Sequence, residues 1–484
     1  MTDDLVKKAA RGVGWNISSQ AVQQAIRFFV IIILTRLLGP EDFGMFAMVM
    51  VFTEFIRPFR EWGFQAALIQ KKDIDEECRS TAFWALCGVA AVLYILSCVS
   101  APFVGHFFNS SLVGQIIPVS ALAFLLSPFG AIQWALFTKE LNFRATAIVD
   151  MVATLFYGLA ACILALKGFG VWSFVLASLV RELAWSLLFW VICDWRPLFK
   201  FSFAMFKELM NFAGNCMGSG VFNYGINNFD NLIVGKFLGA IPLGFYNLAF
   251  NTVSQPQMRI VSQITSVVFP AYSMIKDEKE RFQEVYLKTV KMVALVTVPL
   301  ISVIFVATKD FVVVFYGPKW LAAVLPIKIM CLYGLFRALT SMASSVFLSQ
   351  GKPDIELKLT MVRLLVFVGF IFYGIHYGIV GVALAVLAYS LVNFFPTLYM
   401  SNRLLGIGHL KFYAAIFKYI VFYIAVIATL CLAGLFYQRC GLNAALVRLM
   451  LSCIVAFSVY SAMLVIFARD DIAYLVKIAK KVAL

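Results

Sequence analysis

Six arginines interrupt stretches of this chain that are otherwise apolar enough to cross a bilayer: Arg27, Arg57, Arg60, Arg181, Arg259 and Arg337. An arginine at the bilayer centre costs about 3 kcal/mol on insertion scales. A chain does not turn six such groups toward lipid. Most must point into a shared polar interior, and a cationic interior attracts anions. The pattern predicts a helical membrane protein with a negatively charged cargo, and it separates this chain from carriers built to bind cations.

Composition agrees. Hydrophobic residues make up 62% of the 484 residues and charged residues only 13%, roughly half the charged share of a soluble domain. The net charge of +15 does not point to nucleic acid, because no stretch is polar enough to form a soluble basic face. None of the ten cysteines has C-x-x-C spacing and the three histidines lie far apart, so neither a metal site nor a disulfide framework is expected. No cofactor is expected beyond a coupling proton or sodium ion. Residues 3–11 are charged and lead into a long polar-striped helix, unlike a cleavable signal peptide.

A helix needs about 20 residues to cross the hydrocarbon core. Apolar blocks between charged or Gly/Pro/Asn breaks give fourteen spans, near 16–37, 43–68, 79–103, 112–138, 145–166, 169–193, 209–237, 243–272, 287–308, 321–349, 357–375, 378–400, 412–435 and 444–467. The N-tail, alternate loops and C-tail carry 26 of the 40 Lys and Arg residues, Arg363 among them, and the remaining loops and adjoining helix ends carry eight. Both termini are therefore expected in the cytoplasm. The tail, 469–484, has the composition of a basic amphipathic helix on the inner leaflet.

An internal repeat organises these spans. Leu38-Gly39-Pro40-Glu41-Asp42-Phe43-Gly44 has a partner 200 residues later, Leu238-Gly239-Ala240-Ile241-Pro242-Leu243-Gly244. Pro58 and Pro256 are expected to interrupt spans 2 and 8, and Pro118 and Pro326 lie near the starts of spans 4 and 10. A six-span offset makes this a parallel repeat. The expected organisation is an N-lobe (1–193, spans 1–6), a cytoplasmic linker (194–208), a C-lobe (209–402, spans 7–12), two added spans (403–468) and the tail. Such lobes enclose a cavity and rock to give alternating access.

Polar stripes mark candidate cavity walls. Gln20, Gln24 and Arg27 share one face of span 1, and Asn223, Asn227, Asp230 and Asn231 one face of span 7. Span 2 presents Glu54, Arg57 and Glu61, with Arg60 beside them, and span 8 presents Asn247, Asn251, Gln255 and Arg259. Arg57 has Glu54 and Glu61 about one turn away as possible structural partners, and Arg181 has Asp150 of span 5. Arg27, Arg259 and Arg337 have no acid one turn away, and the guanidinium fork suits phosphate or carboxylate oxygens. The candidate substrate-binding set is Arg27, Arg57, Arg60, Arg259, Arg337, Gln24 and Asn227. The intramembrane acids Asp230, Glu54, Glu61 and Asp150 are the ion-coupling candidates. No P-loop, G-x-S-x-G or metal cluster appears, and no outward loop is long enough for a catalytic domain, so an enzyme is not expected.

Leu-Gly-Pro-Glu-Asp-Phe-Gly (38–44), Gln-Lys-Lys (70–72), Lys-Glu-Leu-Asn-Phe-Arg (139–144), Gly-Phe-Gly-Val-Trp-Ser (168–173) and Tyr-Gly-Pro-Lys-Trp (316–320) together resemble the Wzx-type polysaccharide flippases. Asp-Asn-Leu-Ile-Val-Gly-Lys-Phe-Leu-Gly (230–239) and Phe-Tyr-Asn-Leu-Ala-Phe (245–250) resemble the colanic-acid-exporter branch. The resemblance runs over nearly the whole chain. It implies the superfamily that joins multidrug, oligosaccharidyl-lipid and polysaccharide exporters, a V-shaped two-lobe fold, and a bacterial inner-membrane location. The implied cargo is an undecaprenyl-diphosphate-linked oligosaccharide, used for exopolysaccharide or lipopolysaccharide. It also implies diphosphate-binding arginines in spans 1, 2 and 8, where this chain has Arg27, Arg57 and Arg259, and partners such as a polysaccharide polymerase and a chain-length regulator. A multidrug/cation antiporter on the same architecture is the alternative; it would need acids, not arginines, to dominate the cavity.

Overall fold

The computed structural model describes residues 3–61, 64–71, 74–440 and 444–469. Within its helices it leaves aside the side chains of 3–13, 57–61, 211–224, 226–227 and 259–260, among others. Among the described residues the regular structure is helical, as the composition predicts. The chain divides into two compact units, Met1–Gly244 and Phe245–Leu484.

The first unit holds α1 (Asp3–Leu37), α2 (Pro40–Glu61), α3 (Phe64–Gln70), α4 (Glu76–Phe107), α5 (Ser111–Leu126), α6 (Pro128–Lys139), α7 (Phe143–Leu166), α8 (Trp172–Ile192), α9 (Phe203–Leu238) and the first turn of α10 (Ala240–Met274). Starts follow local chemistry. Pro40 opens α2, with Glu41 and Asp42 in its first turn, where fixed φ and negative charge both favour a helix N-terminus. Asp75, Ser110, Asn142 and Ser202 cap α4, α5, α7 and α9 through their side chains. The core of this unit includes the cluster of Phe64, Leu68, Phe83, Leu86 and Ile132 with Trp195. Lys71 pairs with Glu208 at 3.0 Å, and that hydrogen bond raises the lysine pKa above its usual value.

The second unit holds the rest of α10, α11 (Lys279–Phe311), α12 (Val324–Ser349), α13 (Pro353–Gly374), α14 (Gly378–Leu405), α15 (His409–Arg439) and α16 (Ala445–Phe467). A π-turn (Val312–Tyr316) and a 3-10 turn (Pro318–Ala323) join α11 to α12. Its core includes Tyr272, Phe282, Tyr286, Met342 and Phe412. Arg448 of α16 grips Asp310 of α11 at 2.5 Å, and Tyr460 donates to the Leu295 carbonyl at 2.7 Å, so the last helix is fastened to α11 at two depths.

Each expected span coincides with a helix or a broken pair of helices. Among the described residues, nine stretches are long and apolar enough to cross a membrane, or ten if the bent pair α5–α6 counts as one span. The polar-striped α2, α9 and α10 are not among them. Three expectations need correction. Pro58 and Pro256 do not interrupt their helices: α2 and α10 continue through both. The fourth span breaks instead at Ser127–Pro128, where α5 and α6 bend by 42°, because Pro128 supplies no N–H to the turn before it. Arg363, counted with the loops, lies about three turns inside α13. The tail beyond residue 469 lies outside the described residues.

The two glycine motifs that stand 200 residues apart meet within the first unit. Gly44 is the fifth residue of α2 and Gly244 the fifth of α10. A Cβ on Gly44 would collide with the Ala240 carbonyl, and one on Gly244 with the Pro40 carbonyl. The contact is reciprocal, as residue 44 meets 240 and residue 244 meets 40. Only glycine allows two helix starts to approach this closely. Gly44→Ala or Gly244→Ala should therefore destabilise by about 1–3 kcal/mol, read as a lower thermal unfolding temperature in detergent. Gly369→Ala, whose added Cβ meets open space, should leave that temperature unchanged or slightly raised.

Candidate functional site

Polar side chains in each unit gather where their helices cross. In the first unit, α1 turns Ser19, Gln23 and Arg27 toward α7, one position round from the Gln20–Gln24 row read from the sequence. Ser19 donates to the Ala147 carbonyl at 3.1 Å. Gln23 donates to Ser19 at 3.0 Å and accepts from both Arg27 and Thr154 at 3.4 Å. On the facing helices, the Asp150 carboxylate accepts from Trp185 of α8 at 3.0 Å. Arg181 of α8 lies 3.8 Å from the neighbouring Glu182.

The three helices α1, α7 and α8 carry the guanidiniums of Arg27 and Arg181 and the carboxylates of Asp150 and Glu182. Arg27 has no acid one turn away on its own helix and donates to Gln23. Asp150 belongs to the group as an anchor for α8 through Trp185. Gln24 is half-buried beside the ladder. Glu54 is half-buried on α2. Asp230 is 3% exposed, and its carboxylate accepts from the Asn231 N–H at 2.9 Å. The side chains of Arg57, Arg60, Glu61, Asn227 and Arg259 lie outside the described residues.

In the second unit, Arg337 of α12 donates to the Tyr333 hydroxyl at 2.6 Å and stands over its ring at 5.7 Å. A network that the sequence reading missed joins α12 to α13 and α14. Arg363 of α13 donates to Asn393 (2.8 Å), Glu356 (3.2 Å) and Thr397 (2.9 Å). Ser344 of α12 donates to the same Glu356 oxygen at 2.9 Å. The network ties α12, α13 and α14 at one level. Its signal was available: Glu356 and Arg363 are seven apart, and Asn393 and Thr397 four apart, each pair on one helical face. Starting span 11 at 357 concealed it.

Each unit thus holds arginines bonded to polar side chains within its helices. The forked, permanently charged guanidinium suits phosphate or carboxylate oxygens. On α10, Asn251 donates to Asn247 at 2.7 Å, a polar pair suited to sugar hydroxyls.

Comparison with known proteins extends this picture. The chain is 26% identical over 394 residues to the teichuronic acid biosynthesis protein TuaB of Bacillus subtilis, covering 81% of each chain. It is 25% identical over 393 residues to the lipopolysaccharide biosynthesis protein WzxC of Escherichia coli, covering 80% of each. Its fold is similar to that of the lipid II flippase MurJ in an inward closed conformation (TM-score 0.76, 14% identity, 95% of this chain and 100% of that one). It is also similar to an inward-facing multidrug resistance MATE transporter (TM-score 0.62, 16% identity, 79% and 95%). Residues 33–325 match the polysaccharide biosynthesis protein family model, and with more than half its length inside that match, this multi-pass membrane chain belongs to the polysaccharide biosynthesis protein family.

Proposed function

We propose that this protein flips a lipid-linked, anionic oligosaccharide across the bacterial inner membrane by alternating access, for exopolysaccharide or lipopolysaccharide assembly. The observation that carries the reading is that each unit sets arginines within its helices, Arg27 and Arg181 in the first and Arg337 and Arg363 in the second. Family membership supports it, as do relatives named for teichuronic acid and lipopolysaccharide biosynthesis. A cation or drug carrier would place its acids without neighbouring guanidiniums.

In this reading Arg27 in the first unit and Arg337 in the second each take diphosphate or acidic-sugar oxygens. Arg57, Arg60 and Arg259 are further anion-binding candidates, and Gln24 and Asn227 bond sugar hydroxyls. Arg363 is held by three side chains and acts as a structural tie. A proton or sodium ion couples transport through one of the intramembrane acids Asp230, Glu54, Glu61 or Asp150. Transport and not covalent change is the activity, and the flipped unit passes to a polymerase and chain-length regulator.

Arg27→Gln and Arg337→Gln should each reduce glycan export about tenfold or more, the scale of one lost charge-assisted contact, with protein levels unchanged. Arg27→Lys should retain part of the activity, because it keeps the charge but not the fork. Full export by both Gln variants would remove these residues from the site. The excess of Lys and Arg in alternate loops supports a cytoplasmic side for both termini. A fluorescent protein that folds only in the cytoplasm, fused at either end, should glow at both; a dark fusion would reverse the orientation.

A further inference from the structure

Between α8 and α9 the chain crosses α4 as a non-helical strap, residues 193–202. Four hydrogen bonds fasten it to one face of the first turns of α4. Trp195 donates to Glu76 (2.9 Å), the Leu198 N–H to Ser80 (3.0 Å), the Ser202 N–H to Thr81 (3.0 Å), and Trp84 to the Leu198 carbonyl (2.8 Å). So held, the strap presents large apolar side chains outward: Phe199 is 93% exposed and Phe203, just past it, 73%. Phe199 stacks on Trp84 with ring centroids 5.1 Å apart. Lys200 lies between the phenylalanines and Lys207 one turn beyond, and both are exposed.

Above the strap a groove of about 590 Å³ runs along α4, walled by Trp84, Phe201 and Phe206 at the strap end and by Val92 and Leu96 farther on, with Gly88 as its floor. From residue 84 to 96 the helix rises about 18 Å. That is close to one leaflet, half of a hydrocarbon core about 30 Å thick. None of the candidate substrate arginines stands on these walls.

We propose that this groove is a binding site for one chain of an anionic glycerophospholipid from the surrounding bilayer, with its phosphate headgroup at Lys200 and Lys207. Aromatic rings at the mouth and lysines beside them match the layering of a membrane interface. The groove is one leaflet long, which fits a phospholipid chain and is too short for a long polyisoprenoid cargo. The lysines select negative headgroups, and the strap, pinned by four hydrogen bonds, keeps both parts in register.

The full-length protein in nanodiscs of phosphatidylcholine with a minority of phosphatidylglycerol provides the test. Native mass spectrometry after partial delipidation should show phosphatidylglycerol retained in preference. Lys200→Gln/Lys207→Gln, at exposed positions, should lower that preference about tenfold or more. Gly88→Leu, whose added Cβ meets open space, should fill the groove and reduce quenching of tryptophan fluorescence by phosphatidylglycerol with brominated acyl chains. Inorganic phosphate at millimolar concentration should displace nothing. An unchanged preference in the double variant overturns the proposal, as does unchanged quenching in Gly88→Leu. Displacement of phosphatidylglycerol by equimolar polyprenyl diphosphate would assign the groove to the cargo and also overturn it.

Discussion

A guanidinium inside a bilayer must find oxygen or aromatic partners within the protein, since hydrocarbon offers none. That constraint organises the helix crossings of this molecule. Arg27 leans on Gln23, and Arg181 lies beside Glu182. Arg337 rests on Tyr333. Arg363 reaches Glu356, Asn393 and Thr397. Each arginine selects which face of its helix turns inward, and so sets which residues its neighbours must supply. The same groups that make the interior cationic also fasten the bundle. This dual use explains how a protein can place a charged site in the membrane without losing the fold.

Where charge does not hold helices together, close approach does. The reciprocal meeting of Gly44 with Ala240 and of Gly244 with Pro40 brings backbone against backbone. Dispersion between tightly packed atoms replaces the hydrophobic effect, which gives little between helices already in lipid. At the outer helix, Asp310 and Arg448 form a bidentate pair, and here the pair joins α16 to a helix distant in sequence. Side chains on α4 do the equivalent work for the strap, bonding backbone groups that would otherwise be unsatisfied.

Much of this was legible beforehand, for reasons particular residues make plain. Apolar blocks of membrane-spanning length located most of the long helices among the described residues, because helix length in a bilayer is set by its thickness. The glycine motifs at 38–44 and 238–244 were visible because close contact admits only one residue type. Prolines misled: Pro58 and Pro256 sit inside continuous helices, whereas Pro128 breaks one. A helix in lipid tolerates proline where neighbours or local adjustment satisfy the freed carbonyl, and the sequence does not record those neighbours. Arg363 was assigned to a loop because a charge near a block's edge looks the same whether it faces water or Asn393.

The sequence by itself determined the class of molecule: a polytopic helical membrane protein, internally repeated, with more cations than acids at membrane depth. Those properties depend on composition and period, which are local. Tertiary structure decided the partners. It gave Arg27 the amide of Gln23, made Asp150 the acceptor for Trp185, drew Arg363 into a three-helix network, and laid the strap over α4 to create a groove that no linear pattern announced. Pairing depends on which helix faces which, and that is settled only when the whole bundle packs and every buried polar group competes for its partners at once.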